Sequence, residues 1–71
     1  MMQGGRLRRW MDSAGYGFLK RAGGGPDLFL HRSQVIASGV DPDDLIENGI
    51  IYYEIGKDKN GRDVAINIRL P

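Results

Sequence analysis

Ala14-Gly15-Tyr16-Gly17-Phe18-Leu19-Lys20-Arg21 and, after a short gap, Asp27-Leu28-Phe29-Leu30-His31-Arg32 are the two stretches that decide the fold. Both alternate. Leu28 and Leu30 point one way, Phe29 and His31 the other; Tyr16, Phe18 and Lys20 share a face opposite Gly17 and Leu19. A side-chain period of two is the mark of a strand whose faces meet different surroundings. The gap is Ala22-Gly23-Gly24-Gly25-Pro26, which is turn chemistry, so Tyr16 to Arg21 and Asp27 to Arg32 read as consecutive strands.

Working outward, three more short strands are expected, at about Arg6 to Met11, Ile50 to Ile55 and Val64 to Leu70. Asp12-Ser13-Ala14-Gly15 joins the first pair, and the seven residues from Gly56 to Arg62, with Asn60-Gly61 as a hairpin signal, join the last. Only the third connection is long. Ser33 to Ile36 reads as one helical turn. A short helix is expected from Asp41, with Asp41 as N-cap, Pro42 in the first position, acids in the first turn and Gly49 just past its end. The acids therefore have a local role, and the ligand spacing of a calcium loop is missing.

Alternation offers Leu7, Leu19, Leu28, Leu30, Val35, Ile36, Leu45, Ile51, Tyr53, Ile55, Val64, Ile66 and Ile68 as a core. These aliphatics suffice for a small barrel without Trp10, Tyr16, Phe18 or Phe29. The aromatics of the second and third strands are left outside, unless the alternation is misassigned and Phe18 or Phe29 belongs to the core.

Length and composition bound what this can be. Seventy-one residues make one small domain, expected over 1–71 with its core at about 5–69. A chain this short buries only about 60% of its unfolded surface. It has no Cys, so disulfides and thiolate chemistry are excluded. A cytoplasmic location fits that composition. No apolar run reaches the roughly 18 residues of a membrane span, and no signal peptide is expected in the charged stretch from Met1 to Trp10. Gly is frequent, 11 of 71, while Pro is only 3, which suits tight turns between short strands rather than disorder.

Net charge is +1, but unevenly spread: residues 1–36 carry +4 and residues 37–71 carry −3. Chance clustering on a solvated surface would give the same asymmetry. Its position beside the outward rings points further. Flat rings interleaved with Arg8, Arg9, Lys20 and Arg32, with His31 in register, are what single-stranded nucleic acid needs: bases stack while cations follow the phosphates. Gly15 and Gly17 around Tyr16 would let a base approach the sheet.

These residues resemble a known family. Ala14 to Leu19 is similar to the first ribonucleoprotein motif of the cold-shock domain, K-G-F/Y-G-F-I/V, and Leu28 to Arg32 to its second, V-F-V-H-F/H/Y. Ser33 to Ile36 resembles S-x-I/L, Leu45 to Gly49 resembles L-x-x-G, and Ala65 to Ile68 resembles A-x-N-V. The ordered set spans about Gly5 to Arg69.

The resemblance implies an all-β, five-stranded antiparallel Greek-key OB-fold barrel with a short helical turn between strands three and four. It implies binding of single-stranded RNA or DNA with low sequence preference, as an RNA chaperone or a regulator of transcription or translation. Tyr16, Phe18, Phe29 and His31 occupy the family's stacking positions, and Arg9, Trp10, Lys20 and Arg32 complete the expected site. Three departures reduce it. Ala14 replaces a Lys, Arg32 replaces an aromatic, and no loop aromatic lies between Ala37 and Asn48. Where the family has adjacent aromatics in strand one, this chain has Arg9-Trp10-Met11: ungapped spacing sets Arg9 in the first slot and Trp10 in the second, a bulge would set Trp10 in the first, and a partly buried rim position is a third option.

Other functions are weaker. With one His and no Cys, Ser13 and Ser33 lack a partner base, and no Gly-Lys-Ser/Thr follows Gly23-Gly24-Gly25, so no enzyme is expected. Neither cofactor nor metal is expected. The alternative from another class is a small barrel that docks a protein on the same aromatic face. A monomer is expected, and a dimer is compatible with the sequence.

Overall fold

A computed structural model describes residues 1–71. Five strands, β1 (Gln3–Met11), β2 (Tyr16–Arg21), β3 (Leu28–His31), β4 (Ile50–Lys57) and β5 (Asp63–Arg69), close into a barrel in the order β1-β2-β3-β5-β4. One helix, α1 (Arg32–Ala37), and one 3-10 turn (Pro42–Asp44) lie in the connection from β3 to β4. This is the all-β OB-type barrel that the sequence leads to. Four seams are antiparallel. The fifth, β3 to β5, is parallel and sets Phe29 beside Val64.

The core forms where the alternation puts it. Leu7, Leu19, Leu28, Leu30, Val35, Ile51, Tyr53 and Ile68 are buried together. Trp10, Val40, Leu45, Ile55 and Leu70 pack against them from partly covered positions. Two expected members differ. Ile36 is 54% exposed, because α1 turns only Val35 inward. Ile66 is only partly covered while Ala65 is buried. The cause is an extra residue in β5: Tyr52 faces Arg69 and Glu54 faces Ile66, so two β5 residues stand against Tyr53 alone. Asn67 takes up the bulge at φ 50, a left-handed conformation that Asn tolerates better than most residues, and its Nδ2 donates to Glu54 Oε1 at 2.8 Å. After Val64, the inward residues of β5 are thereby Ala65 and Ile68, three apart. Ile66 lies outside against Gly56, where an added Cβ would come within 2.8 Å of its side chain.

The expected helix after Asp41 shortens to one turn. Asp41 does cap it, accepting from the Asp43 N–H at 2.9 Å, but Leu45 is already extended. The chain is then drawn onto β1: Asn48 N–H donates to Leu7 O at 2.7 Å and Leu7 N–H to Gly49 O at 2.9 Å. Pairing with β1 takes the backbone groups that a longer helix would need.

Candidate nucleic-acid interface

The outer face of β2 and β3 holds four rings. Cross-strand register puts Tyr16 opposite His31 and Phe18 opposite Phe29. Tyr16 and Phe29 lie nearly parallel, with centroids 5.5 Å apart and 26° between planes. Phe18 meets Tyr16 and Phe29 edge-on at 5.9 and 6.0 Å, and His31 sits 6.1 Å from Phe29. Tyr16, Phe18 and Phe29 are half-buried and His31 is exposed. None belongs to the core, so the outward assignment of Phe18 and Phe29 holds.

His31 is fixed by the helix it precedes. As N-cap of α1, its Nδ1 accepts from the Ser33 N–H at 3.1 Å, with Ser33 Oγ at 2.8 Å. Nδ1 therefore presents its lone pair inward, and in the neutral ring the proton rests on Nε2, free to donate outward. Arg32, expected at the end of the strand, is instead the first residue of α1. Its backbone N–H donates to Gly15 O at 2.8 Å, and its guanidinium lies 3.7 Å from Asp12.

Strand β1 supplies the basic edge through a bulge. Leu7 faces Leu19, but Arg9 faces Phe18, so Arg8 is the extra residue. Arg9 thereby stands opposite Phe18, Trp10 opposite Gly17 and Met11 opposite Tyr16. Of the three placements open in the sequence, the observed burial fits the partly covered rim position for Trp10. Trp10 turns toward the barrel and packs against the core from its rim, with Nε1 donating to Asp12 Oδ1 at 3.4 Å. This explains Gly17 differently from base approach: an added Cβ there would lie 2.3 Å from Arg9 O and 2.8 Å from the Trp10 ring. Gly17 makes room for Trp10.

The basic residues divide. Arg8 is paired with Asp27 at 2.7 Å, while Arg9 and Lys20 form no ion pair. One platform residue had no sequence signal. The Arg62 guanidinium carbon sits 5.9 Å from the Phe29 centroid, within cation–π range. It comes from the β4–β5 loop, and only the parallel β3–β5 seam carries that loop to Phe29. Asp58 steers it, accepting from Arg62 Nε at 2.9 Å as well as from the Arg62 and Asn60 N–H groups at 2.9 and 2.8 Å. Those bonds, the Arg62 N–H first, hold the Asp58 carboxyl below the usual carboxylate range.

Fold and face together define a small β-barrel with a ring platform edged by cations. Comparison with known proteins agrees. Residues 5–71 match the family described as the 'Cold-shock' DNA-binding domain. The chain is 33% identical over 66 residues to a cold shock-like protein CspA of Rickettsia bellii, covering 93% of this chain and 90% of that one. It is 32% identical over 69 residues to the cold shock protein CspA of Rhizobium meliloti, covering 96% and 97%. A plant relative, cold shock domain-containing protein 4 of Arabidopsis thaliana, is 32% identical over 75 residues, with 99% of this chain matching 36% of that longer protein. The chain belongs to the cold-shock domain family, whose members generally bind nucleic acid. No helix is long and apolar enough to cross a membrane.

Proposed function

We propose that the protein binds single-stranded RNA or DNA with low sequence preference, by stacking bases on Tyr16, Phe18, Phe29 and His31. The observation that carries this reading is a complete barrel core that leaves four neighbouring rings outside, with centroids 5.5–6.1 Å apart. Any base has a π-face, so stacking is sequence-tolerant. Arg9, Lys20 and Arg32 meet phosphates around the rings, Arg32 by yielding its exposed Asp12 partner, and Trp10 supports the platform edge. Arg62 adds a cation over Phe29. On this reading a monomeric single domain works in the cytoplasm as an RNA chaperone or a regulator of transcription or translation, holding exposed strands against their own pairing.

Stacking contributes roughly 1–3 kcal/mol per base. Three or four rings, less the cost of ordering the strand, lead to affinity of about micromolar. The test is a titration with oligo-dT and oligo-U of about seven nucleotides, a length within OB-fold site sizes, followed by amide NMR at two salt concentrations. The amides of Tyr16 to Lys20 and Leu28 to Arg32 are expected to shift saturably, and log K to fall with log salt at a slope near −2. Amides that stay still along both strands would sink the reading and favour a protein partner on the same face.

A further inference from the structure

The outer face of β1 and β2 changes character along its length. Its successive cross-strand pairs are Met11 with Tyr16, Arg9 with Phe18 and Arg6 with Lys20. The ladder runs from rings at one end to paired cations at the other. Lys20 lies two residues beyond Phe18, about 7 Å along the strand. There the surface dips into a groove of about 340 Å³ lined by Gly4, Gly5, Arg6, Lys20, Arg21 and Ile50, among others.

The groove contains three cations and no acid in its lining. Neither Arg6 nor Lys20 is in an ion pair, although Arg6 donates to Asn48 O at 2.8 Å. Arg21 Nε is shielded from solvent and has no protein acceptor. Asp63 is near enough to feel the Arg21 charge, but its own hydrogen bond is to Lys57. Two cations outside any ion pair, on a groove with no acid in its lining, favour an anion with several acceptor oxygens.

We infer that this groove is a phosphate site that extends the aromatic platform, taking the backbone of the strand whose bases stack on Phe18 and Phe29. The inference rests on the proposed single-strand binding and deepens it. The protein then has a stacking segment followed by a phosphate-gripping segment, and a longer strand gains affinity by charge rather than by further rings.

The test compares oligo-dT of about four and about eight nucleotides, both within the site sizes of this barrel type, against wild type, Arg6→Gln, Arg6→Lys and Arg21→Gln. Wild type is expected to hold the longer strand more tightly and with a steeper salt slope. Arg6→Gln and Arg21→Gln should each lose about two- to fivefold on the longer strand. Their slope should become shallower by about 0.7 per lost phosphate contact. Binding of the short strand should not change, and Arg6→Lys should keep most of the gain.

Equal wild-type affinity for both lengths overturns the groove and leaves the platform standing. No wild-type binding at either length overturns the platform and the groove with it. If Arg6→Lys loses as much as Arg6→Gln, Arg6 acts through Asn48 and the phosphate role is refuted. Inorganic phosphate at matched ionic strength serves as a control. If it shifts the Arg6 and Arg21 side-chain signals while strand length has no effect, the groove is a free-anion site and the extension fails.

Discussion

Strands β2 and β3 show two faces of one backbone under opposite demands. Inside, Leu19, Leu28 and Leu30 are at most 1% exposed. Outside, one residue along each time, Tyr16, Phe18 and Phe29 stay half-covered and touch one another. The inner residues are branched aliphatics, which fill a small closed volume in few rotamers. The outer ones are flat rings, which offer area to a partner and lose little entropy on binding. The lesson is a division of labour by residue parity: stability lies on one face and the proposed recognition on the other.

The comparison breaks most sharply on the inside. Leu30→Ala removes a fully buried side chain from a core of nine and should cost about 2–5 kcal/mol. A 71-residue domain has little more than that in total. Urea unfolding should show a midpoint moved far toward water, or a chain largely unfolded at 37 °C. A loss under about 1 kcal/mol would mean that the core is not where the fold puts it.

On the outside the effect should fall on binding. Phe29 is the hub of the platform, meeting Tyr16, Phe18, His31 and Arg62. Phe29→Ala is expected to weaken oligonucleotide binding by about 1–3 kcal/mol. Its unfolding midpoint should move far less than that of Leu30→Ala. Paired titration and urea curves measure both quantities, and a variant that unfolds as readily as Leu30→Ala would erase the division by parity.

Much of this was legible from residue order because alternation is a local signal. The strands, the outward rings and the aliphatic core follow from a period of two and from turn residues. What was not legible came from places where the period slips or the chain closes on itself. The Arg8 bulge sets Arg9 opposite Phe18 and Trp10 opposite Gly17, and a bulge is one residue of pairing that no single strand reports. Asn67 exchanges Ile66 for Ala65 in the core by the same means. Gly17 had the right identity and the wrong reason, since its neighbour Trp10 comes from another strand. Arg62 reaches Phe29 only through the β3–β5 seam, a contact across more than thirty residues of chain. The helix expected after Asp41 failed because β1 took its backbone.

A subtler test lies with the one aromatic that crosses the division. Tyr53 is fully buried, and its hydroxyl has no hydrogen-bond partner. Its neighbour Tyr52 points outward and is 41% exposed. A buried hydroxyl without a partner costs free energy, so the ring belongs to the core and the oxygen does not. Tyr53→Phe should therefore leave stability unchanged or raise it by about 1 kcal/mol. Tyr52→Phe should change it less. Thermal melts of the two variants decide the matter, and a clear loss for Tyr53→Phe would show that the hydroxyl is bonded in solution.

The smallest expected effect concerns how the β4–β5 loop serves the outer face. Asp58 is held below the usual carboxylate range by the N–H and guanidinium of Arg62, and Asp63 by the hydrogen bond from Lys57. Both groups are more readily ionised in the fold than in the unfolded chain. Their stabilisation is therefore complete above the ordinary carboxylate range and is lost as pH falls through the lowered values. Acidification should loosen this loop, which starts the link from Asp58 to Arg62 to Phe29, while the inner face of β2 and β3 contains no carboxylate to respond. Amide NMR between pH 6 and pH 2.5 should show Asn60 and Arg62 moving before Leu19 and Leu30. Asp58→Asn should abolish the Arg62 part of that response and leave the Lys57–Asp63 part. If the loop and the leucines instead titrate together, Asp58 is not an independent tether, and Arg62 owes its place over Phe29 to the barrel alone.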